Sequence, residues 1–318
     1  MSLSRPLITG AGGFIGSHLA RHLGEDSEVE LIYLVDLPNS SRLNSFKNSS
    51  KYRIIEGDLT VQGSIKFPSD ATAIFALAAF NGTGRFYSQP YTVLINSMLP
   101  TVRVINEYAG KIPIVYASSS EVYASTVEIF DWEVPTDELI PPSIASIHNT
   151  RWSYASGKLF GEVAMVAAGA EHGAVGAIVR YHNVYGPNMG MDHFIPDFIS
   201  RAQKGKFEIT GPEQTRAFMH VSDAVRGTVA ALSKASAAMP IYHLGSKEEI
   251  TIRDAAKLIL TVMDLSGNEI SLRPAPEGSV SRRCANPSKA ESELNWNTKI
   301  DFSEGIEDFL ISLNQSNI

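Results

Sequence analysis

The segment Leu7-Ile-Thr-Gly-Ala-Gly-Gly-Phe-Ile-Gly16-Ser-His-Leu19 decides the fold of this 318-residue chain. An apolar run predicts a strand, and Gly10, Gly13 and Gly16 lead from it into a predicted helix. The first glycine permits a tight turn, the second lets backbone approach a pyrophosphate, and the third lets the helix pack closely. Free N–H groups at the helix start favour phosphate. The segment therefore predicts a dinucleotide-binding loop.

A carboxylate at the end of the next predicted strand indicates which dinucleotide binds. Asp36 follows Gly16 at the spacing that suits the adenosine ribose hydroxyls. It would repel a 2′-phosphate, and Leu37 and Pro38 follow it with no adjacent arginine. The sequence therefore predicts NAD rather than NADP. Asp58 ends a further strand and is expected either to contact adenine or to cap a turn.

Apolar strands alternate with amphipathic helices through the first half of the chain. Strands are predicted at 6–9, 31–36, 52–56, 73–78, 112–117 and 175–180, and helices at 14–23, 91–108 and 154–168. This alternation predicts an α/β fold with a Rossmann-type, doubly wound parallel sheet. Residues 1–180 are predicted to form the NAD-binding domain, to which segments of about 215–245 return. The proline-punctuated remainder, 181–318, is expected to be mainly a smaller C-terminal substrate domain, with a cleft between the two.

Composition narrows the class of protein. A net charge of −7 argues against binding to nucleic acid or to an anionic membrane. Cys284 is the only cysteine, so no intrachain disulfide and no thiolate metal cage is possible. His18 and His22 lack a third ligand, and no metal site is predicted. The apolar stretch 163–179 contains Glu171 and His172 and is too broken to span a bilayer. We expect a cytoplasmic protein.

A tyrosine and a lysine share one face of a predicted helix in Tyr154-Ala-Ser-Gly-Lys158. A phenol with a pKa near ~10 is a poor base at neutral pH, and a nearby ammonium favours the phenolate. Tyr154 could then take a proton from an alcohol while hydride leaves the same carbon, and Lys158 could also hold the nicotinamide ribose. The segment 116–123 supplies hydroxyls directly after a strand, at the sheet edge where α/β sites form. If the segment 116–123 stood alone in the sequence, it would be interpreted as a polar turn.

Together these motifs resemble the extended short-chain dehydrogenase/reductase family, in its nucleotide-sugar epimerase/dehydratase branch. The resemblance covers about residues 5–310 and also rests on the segments 180–187, 195–196, 215–223 and 294–296. It implies bound NAD, a nucleotide-diphosphate-sugar substrate, and a homodimer formed through a four-helix bundle of the 91–108 and 154–168 helices. The residues implied to bind NAD are Gly10, Gly13, Phe14, Ile15, Gly16, Asp36, Asp58, Leu59, Ala78, Asn96, Tyr154 and Lys158.

The same resemblance implies roles in catalysis and in substrate binding. Ser119 would pair with Tyr154 and Lys158 on the sugar, beside Ser120 and Glu121. Asn183 would lie near the phosphates and Arg216 would hold the diphosphate, since a guanidinium suits phosphate oxygens. Arg282 or Arg283 would be the second cation. Arg85, in a loop after a strand, would meet an acidic sugar group such as a uronate carboxylate, or else be solvated.

The reaction type depends on Glu121. Family members begin alike: the C4 hydroxyl is oxidised, and the 4-keto sugar acidifies C5 and makes a carboxyl there easy to lose. Dehydratases carry Thr-Asp-Glu where this chain has Ser119-Ser120-Glu121, whereas nucleotide-glucuronate decarboxylases carry Ser-Glu at the last two positions. The sequence thus favours decarboxylase-like C5 chemistry, with 4-epimerase or dehydratase as alternatives. Glu121 could instead bind only backbone or a neighbouring hydroxyl.

Two further classes of function remain open from the sequence. A carbonyl reductase that consumes NAD(P)H is disfavoured by Asn183 and Arg216, which indicate a diphosphate. A non-catalytic dinucleotide-sensing regulator would be expected to lack Tyr154 or Lys158, and both are present.

Overall fold

A computed structural model describes residues 2–275 and 279–316. Its centre is a parallel sheet of seven strands in the order β11-β6-β5-β4-β1-β2-β3. The strands are β1 (Pro6–Thr9), β2 (Ile32–Asp36), β3 (Tyr52–Glu56), β4 (Ala73–Ala76), β5 (Ile114–Ser119), β6 (Gly176–Tyr181) and β11 (Ile241–Leu244). The order reverses between β1 and β4, where the chain crosses from one half of the sheet to the other. Ligands bind at such a point, outside the carboxyl ends of the strands.

Helices cover both faces of the sheet. The helices of the described residues are α1 (Phe14–Gly24), α2 (Thr83–Ser88), α3 (Pro90–Tyr108), α4 (Ala124–Phe130), α5 (Ser153–His172), α6 (Phe194–Ala202), α7 (Val221–Leu232), α8 (Ile252–Val262), α9 (Ser288–Leu294) and α10 (Phe302–Ser316). Of these, α1 and α7 lie on one face of the sheet, and α3 and α5 lie on the other. Alternate strand residues face opposite ways, so Ile8 packs with α1 and α7, and Leu7 with the layer of α3 and α5. The predicted doubly wound α/β fold is confirmed.

The smaller part of the molecule follows β6. Its strands are β7 (Val184–Tyr185), β8 (Glu208–Thr210), β9 (Thr215–Ala217), β10 (Met219–His220), β12 (Glu249–Thr251), β13 (Ser271–Arg273) and β14 (Arg282–Arg283). They form three small sheets, and α6, α8 and α10 share a separate apolar core. Within 215–245 it is α7 and β11 that lie on the large sheet, whereas β9 belongs to a small one.

The helix α5 is longer than the predicted element. The helix continues to His172 and ends where Gly173 adopts a φ of +65°, a conformation that favours glycine. It lies close against α3, since a Cβ on Gly157 would be 2.6 Å from the Cβ of Ser97.

Among the described residues, none of the helices combines the length and the apolar composition that a membrane span needs.

Candidate active site

Two adjoining cavities open at the carboxyl edge of the large sheet. The first, of about 510 Å³, is lined by the glycine loop and the ends of β2, β4 and β5; we call it the glycine-loop cavity. The second, of about 390 Å³, lies toward the smaller part and is called the C-terminal cavity. Ser118 and Tyr154 line both cavities. A ligand that filled one cavity would therefore meet a ligand in the other at these two side chains and at the other residues that line both, Phe14, Ile15, Asn81, Tyr181 and His193.

The glycine loop packs without room for side chains. Gly10 has a φ of +71°, and a Cβ there would lie 2.8 Å from the Cα of Ala78. A Cβ on Gly16 would lie 2.1 Å from the carbonyl oxygen of Gly10. The backbone is thus brought against the cavity, and α1 starts there with its free N–H groups.

Asp36 closes the far end of this cavity. Its carboxylate accepts the N–H groups of Gly12 and Leu37, each at 2.7 Å. Burial raises the pKa of Asp36, although both N–H groups oppose that shift. All twelve residues that the sequence predicted to bind NAD line the glycine-loop cavity.

Arg42 also lines this cavity, and sequence reasoning missed it. A short 3₁₀ turn, Ser41–Phe46, brings it back toward Asp36, although it is not adjacent in sequence. Its guanidinium donates to the carbonyl oxygens of Gly12, at 3.2 Å, and Asn188, at 2.8 Å. Only a prediction of that turn could have found it.

The predicted catalytic pair lies at the junction of the two cavities. The Nζ of Lys158 donates to the carbonyl oxygen of Ala117 at 2.7 Å, and burial lowers the pKa of this lysine to about 7. The Tyr154 ring stacks on Phe86, with ring centroids 5.4 Å apart. Burial, and then the charge of Glu121, raise the pKa of Tyr154, while its hydrogen bond with Ser119 opposes them. A positive charge nearby is therefore needed for the phenol to act as a base.

Glu121 is held between two guanidinium groups. Its carboxylate lies 2.8 Å from Arg283 and 3.2 Å from Arg151. Burial alone would raise the pKa of Glu121, but the two arginines outweigh burial and hold the pKa below its usual value. Ser119, Ser120 and Glu121 line the C-terminal cavity together with Arg283. Sequence reasoning did not single out Arg151, which lies three residues before Tyr154.

The arginines predicted to hold substrate fall into two groups. Arg216 and Arg283 line the C-terminal cavity, as does Asn183, whose side chain donates to Ala217. Burial lowers the pKa of Arg216 to about 10, so it stays charged at neutral pH. Arg282 does not line that cavity. It pairs with Glu249 at 2.8 Å because neighbouring residues of β14 face opposite ways.

Arg85 also lies apart from the predicted sugar site. It lines the glycine-loop cavity, and its guanidinium carbon is 4.3 Å from the centroid of the Phe80 ring. Of the two arginines that the sequence left open, Arg283 lines the C-terminal cavity and Arg282 does not. The structure also separates Arg85 from Glu121 and its two arginines.

Comparison with known proteins identifies the family. Residues 6–245 match the NAD dependent epimerase/dehydratase family, so the chain belongs to that family. It is 29% identical to the UDP-N-acetyl-alpha-D-glucosaminuronate decarboxylase of Bacillus cytotoxicus, over 96% of each chain. It is 28% identical to UDP-glucuronic acid decarboxylase 3 of Arabidopsis thaliana, over 98% of this chain and 90% of the other.

A solved structure of a nucleotide-sugar enzyme is also similar to this chain. UDP-glucuronic acid 4-epimerase from Bacillus cereus, in complex with UDP-glucuronic acid and NAD, matches with a TM-score of 0.85 and 25% identity, over 98% of this chain and 99% of that one. The protein is thus an enzyme of the NAD-dependent nucleotide-sugar epimerase, dehydratase and decarboxylase type. Its cofactor is NAD, which the glycine-loop cavity fits through its closely packed glycines and Asp36.

Replacing Gly16 by alanine tests the glycine loop. The added Cβ would meet the Gly10 carbonyl and force α1 away from the loop. We expect NADH to bind at least about tenfold more weakly, a loss of ~1.4 kcal/mol, in a fluorescence titration. Gly267→Ala is the matched control, because nothing lies within 4 Å of its Cβ. Equal affinity of both variants for NADH would contradict the role given to Gly16.

Proposed function

We propose that this enzyme removes the C6 carboxylate of a nucleotide-diphosphate uronic sugar as carbon dioxide, through a 4-keto intermediate. The observation that carries this proposal is the placement of Glu121 between Arg151 and Arg283 beside the C-terminal cavity. With Glu121 ionised, the three side chains carry one net positive charge. Such a group attracts the carboxylate of a uronate and gives a neutral sugar no comparable advantage.

Oxidation at C4 is assigned to the residues at the cavity junction. Tyr154 takes the proton of the C4 hydroxyl, with Ser119 hydrogen-bonded to it and the Lys158 ammonium favouring its phenolate. The glycine loop and Asp36 would hold NAD, which would supply the hydride acceptor for C4 and the hydride donor once carbon dioxide has left. The product of oxidation is a β-keto acid. Its C5–C6 bond breaks, the bonding electrons enter the C4 carbonyl to form an enolate, carbon dioxide leaves, and a proton is then added at C5.

The charge state of Glu121 separates decarboxylation from dehydration. A dehydratase needs a carboxylate base to remove the C5 proton, and a carboxylate held by two arginines is a weak base. Loss of carbon dioxide needs no base at C5, because the carboxylate itself leaves. The lowered pKa of Glu121 therefore supports decarboxylation over dehydration.

The nucleotide diphosphate is proposed to lie against Arg216 and Asn183. Both line the C-terminal cavity, and Arg216 is largely buried and charged, so a phosphate near it would be poorly screened by water. Arg283 also lines this cavity, and because it pairs with Glu121 it is assigned to the uronate carboxylate rather than to the diphosphate. This arrangement supports a diphosphate-linked substrate over the small carbonyl compound of a simple reductase.

A second candidate is 4-epimerisation of the same class of uronate. The match to the Bacillus cereus UDP-glucuronic acid 4-epimerase over almost the whole chain favours it. Both reactions share the 4-keto intermediate and a site for the uronate carboxylate. They differ in whether the C5–C6 bond breaks before hydride returns to C4.

A homodimer through α3 and α5 is proposed as well. The exposed face of these helices carries large apolar side chains, and Tyr91, Val163 and Val166 are 76%, 60% and 52% exposed. Apolar side chains concentrated on one helical face are typical of an interface.

Light scattering is expected to give twice the mass of the chain, and Val163→Glu together with Val166→Glu is expected to give single chains. A wild-type protein of single-chain mass would contradict the dimer.

A panel of nucleotide sugars tests the proposed reaction. UDP-, GDP-, CDP- and dTDP-linked uronates are incubated with the enzyme, and the masses of the products are measured by mass spectrometry. We expect at least one uronate to lose the mass of carbon dioxide, while the matching glucose nucleotide does not react. Tyr154→Phe should abolish the loss because the phenol is needed to oxidise C4. Unchanged mass with inversion at C4 would indicate the epimerase, and no turnover with NAD demonstrably bound would contradict both.

Two arginine variants test the carboxylate site. Arg151→Met removes one of the two guanidiniums that hold Glu121, and loss of a charged, poorly solvated hydrogen bond costs ~2–3 kcal/mol, so kcat/KM for the uronate should fall about a hundredfold. Arg282→Met is the control, because its exposed pair with Glu249 is worth only ~1 kcal/mol of stability at most. If the two variants lost equal activity, Arg151 would have no special role.

A further inference from the structure

A second buried ion pair lies behind the catalytic residues, and the proposed reaction does not use it. Glu162 on α5 and Arg180 on β6 have side chains that are only 6% and 2% exposed. The guanidinium donates to both carboxylate oxygens, from Nε at 2.9 Å and from Nη2 at 2.8 Å. The hydroxyl of Ser118 donates to the same carboxylate at 2.5 Å. Glu162 therefore joins a helix, a central strand and a residue that lines both cavities.

Glu162 belongs to a row of contacts between α5 and the end of β5. Tyr154, Lys158 and Glu162 are spaced four residues apart, so they share one face of the helix. Tyr154 bonds with Ser119, Lys158 donates to the carbonyl of Ala117, and Glu162 accepts from Ser118. Three consecutive residues of β5 are thus each held by one turn of α5.

The charges around Lys158 make Glu162 the side chain that acts on it. Tyr116 on β5 lies under the ammonium, 5.1 Å from ring centroid to Nζ, and Tyr154 lies beside it on α5. Both are neutral phenols, since burial raises the pKa of each. From α3, Thr101 hydrogen-bonds with Tyr116, and Ser97 lies against Gly157 of α5; neither carries a charge. Burial lowers the pKa of Lys158, and the negative charge of Glu162 raises it.

An ion pair at this position needs an explanation beyond packing. Burying a carboxylate and a guanidinium costs free energy of desolvation that the pair does not always recover. A glutamine would still accept the hydrogen bond from Ser118. What a glutamine would not supply is a negative charge one helical turn from a buried lysine.

We propose that Glu162 is a positioning residue of the active site. Its carboxylate, fixed by Arg180 and Ser118, keeps the buried ammonium of Lys158 charged and keeps the end of β5 aligned with α5. Lys158 is then able to stabilise the phenolate of Tyr154 during oxidation at C4. The inference rests on the proposed function only for this last step.

Titration of Lys158 by NMR tests the charge effect without any substrate. The Nζ signal of Lys158, assigned by its loss in Lys158→Met, is followed against pH in NAD-bound protein labelled with ¹⁵N-lysine. In Glu162→Gln we expect its pKa to fall by about one unit or more, because a negative charge is lost and Arg180 is left unbalanced. Glu171→Gln is the matched control, since it removes a carboxylate from the exposed end of the same helix.

A double variant separates charge from folding. Glu162→Gln with Arg180→Met removes both charges, so we expect the pKa of Lys158 to lie between those of the wild type and of Glu162→Gln. The double variant leaves no unpaired buried charge, so it is expected to fold even if Glu162→Gln does not. The pKa of Lys158 can then be measured in the double variant. A pKa of Lys158 that stays at its wild-type value in the folded single or double variant would overturn the proposal.

The pH dependence of turnover tests the consequence. Since an ammonium loses its proton as pH rises, Glu162→Gln should lose most activity at high pH and recover toward wild type as pH falls. A structural role alone would lower kcat equally at every pH, and that result would overturn the proposal. If the NMR titration shifts as expected but no nucleotide sugar is turned over, the proposed function fails and the role of Glu162 in charging Lys158 stands.

Discussion

The register of α5 against the carboxyl end of β5 is the constraint on which the rest of the site depends. Tyr154, Lys158 and Glu162 each hold one residue of the strand end. Because α5 lies close against α3 and ends at a left-handed Gly173, it has little freedom to slide. The helix thus places the phenol and the ammonium where the two cavities meet. A shift of one residue would turn all three side chains away from the strand.

A second constraint is the electrostatic environment of Glu121, on which the proposed decarboxylation rests. Glu121 is only 15% exposed, yet Arg283 and Arg151 hold its pKa below the usual value. These arginines come from β14 and from the turn before α5, so the large sheet and the smaller part both contribute. Decarboxylase relatives and a uronate-binding structural relative are similar to the chain over nearly its full length. The pairing of Glu121 with two arginines beside the C-terminal cavity is the feature of this chain on which the proposed uronate site rests.

Local sequence was enough to predict the sheet and the glycine loop, because both follow from short-range rules. The alternation of strands and helices, the three glycines and Asp36 were enough to predict most of the cofactor cavity. Arg42, Arg151 and Glu162 were beyond sequence reasoning, since each acts through a partner far away in sequence or through a turn that no motif marks. Arg282 and Arg283 were equivalent in sequence, and only the alternation of β14 separates them.

Formation of a 4-keto sugar by Tyr154, Lys158 and bound NAD can be followed through the cofactor itself. The NAD-loaded enzyme is mixed with a nucleotide uronate in a stopped-flow instrument, and NADH absorbance is recorded during one turnover. We expect NADH absorbance to rise and then fall in step with release of carbon dioxide, with no net change at the end. Release of carbon dioxide with no NADH signal at any time would contradict oxidation at C4.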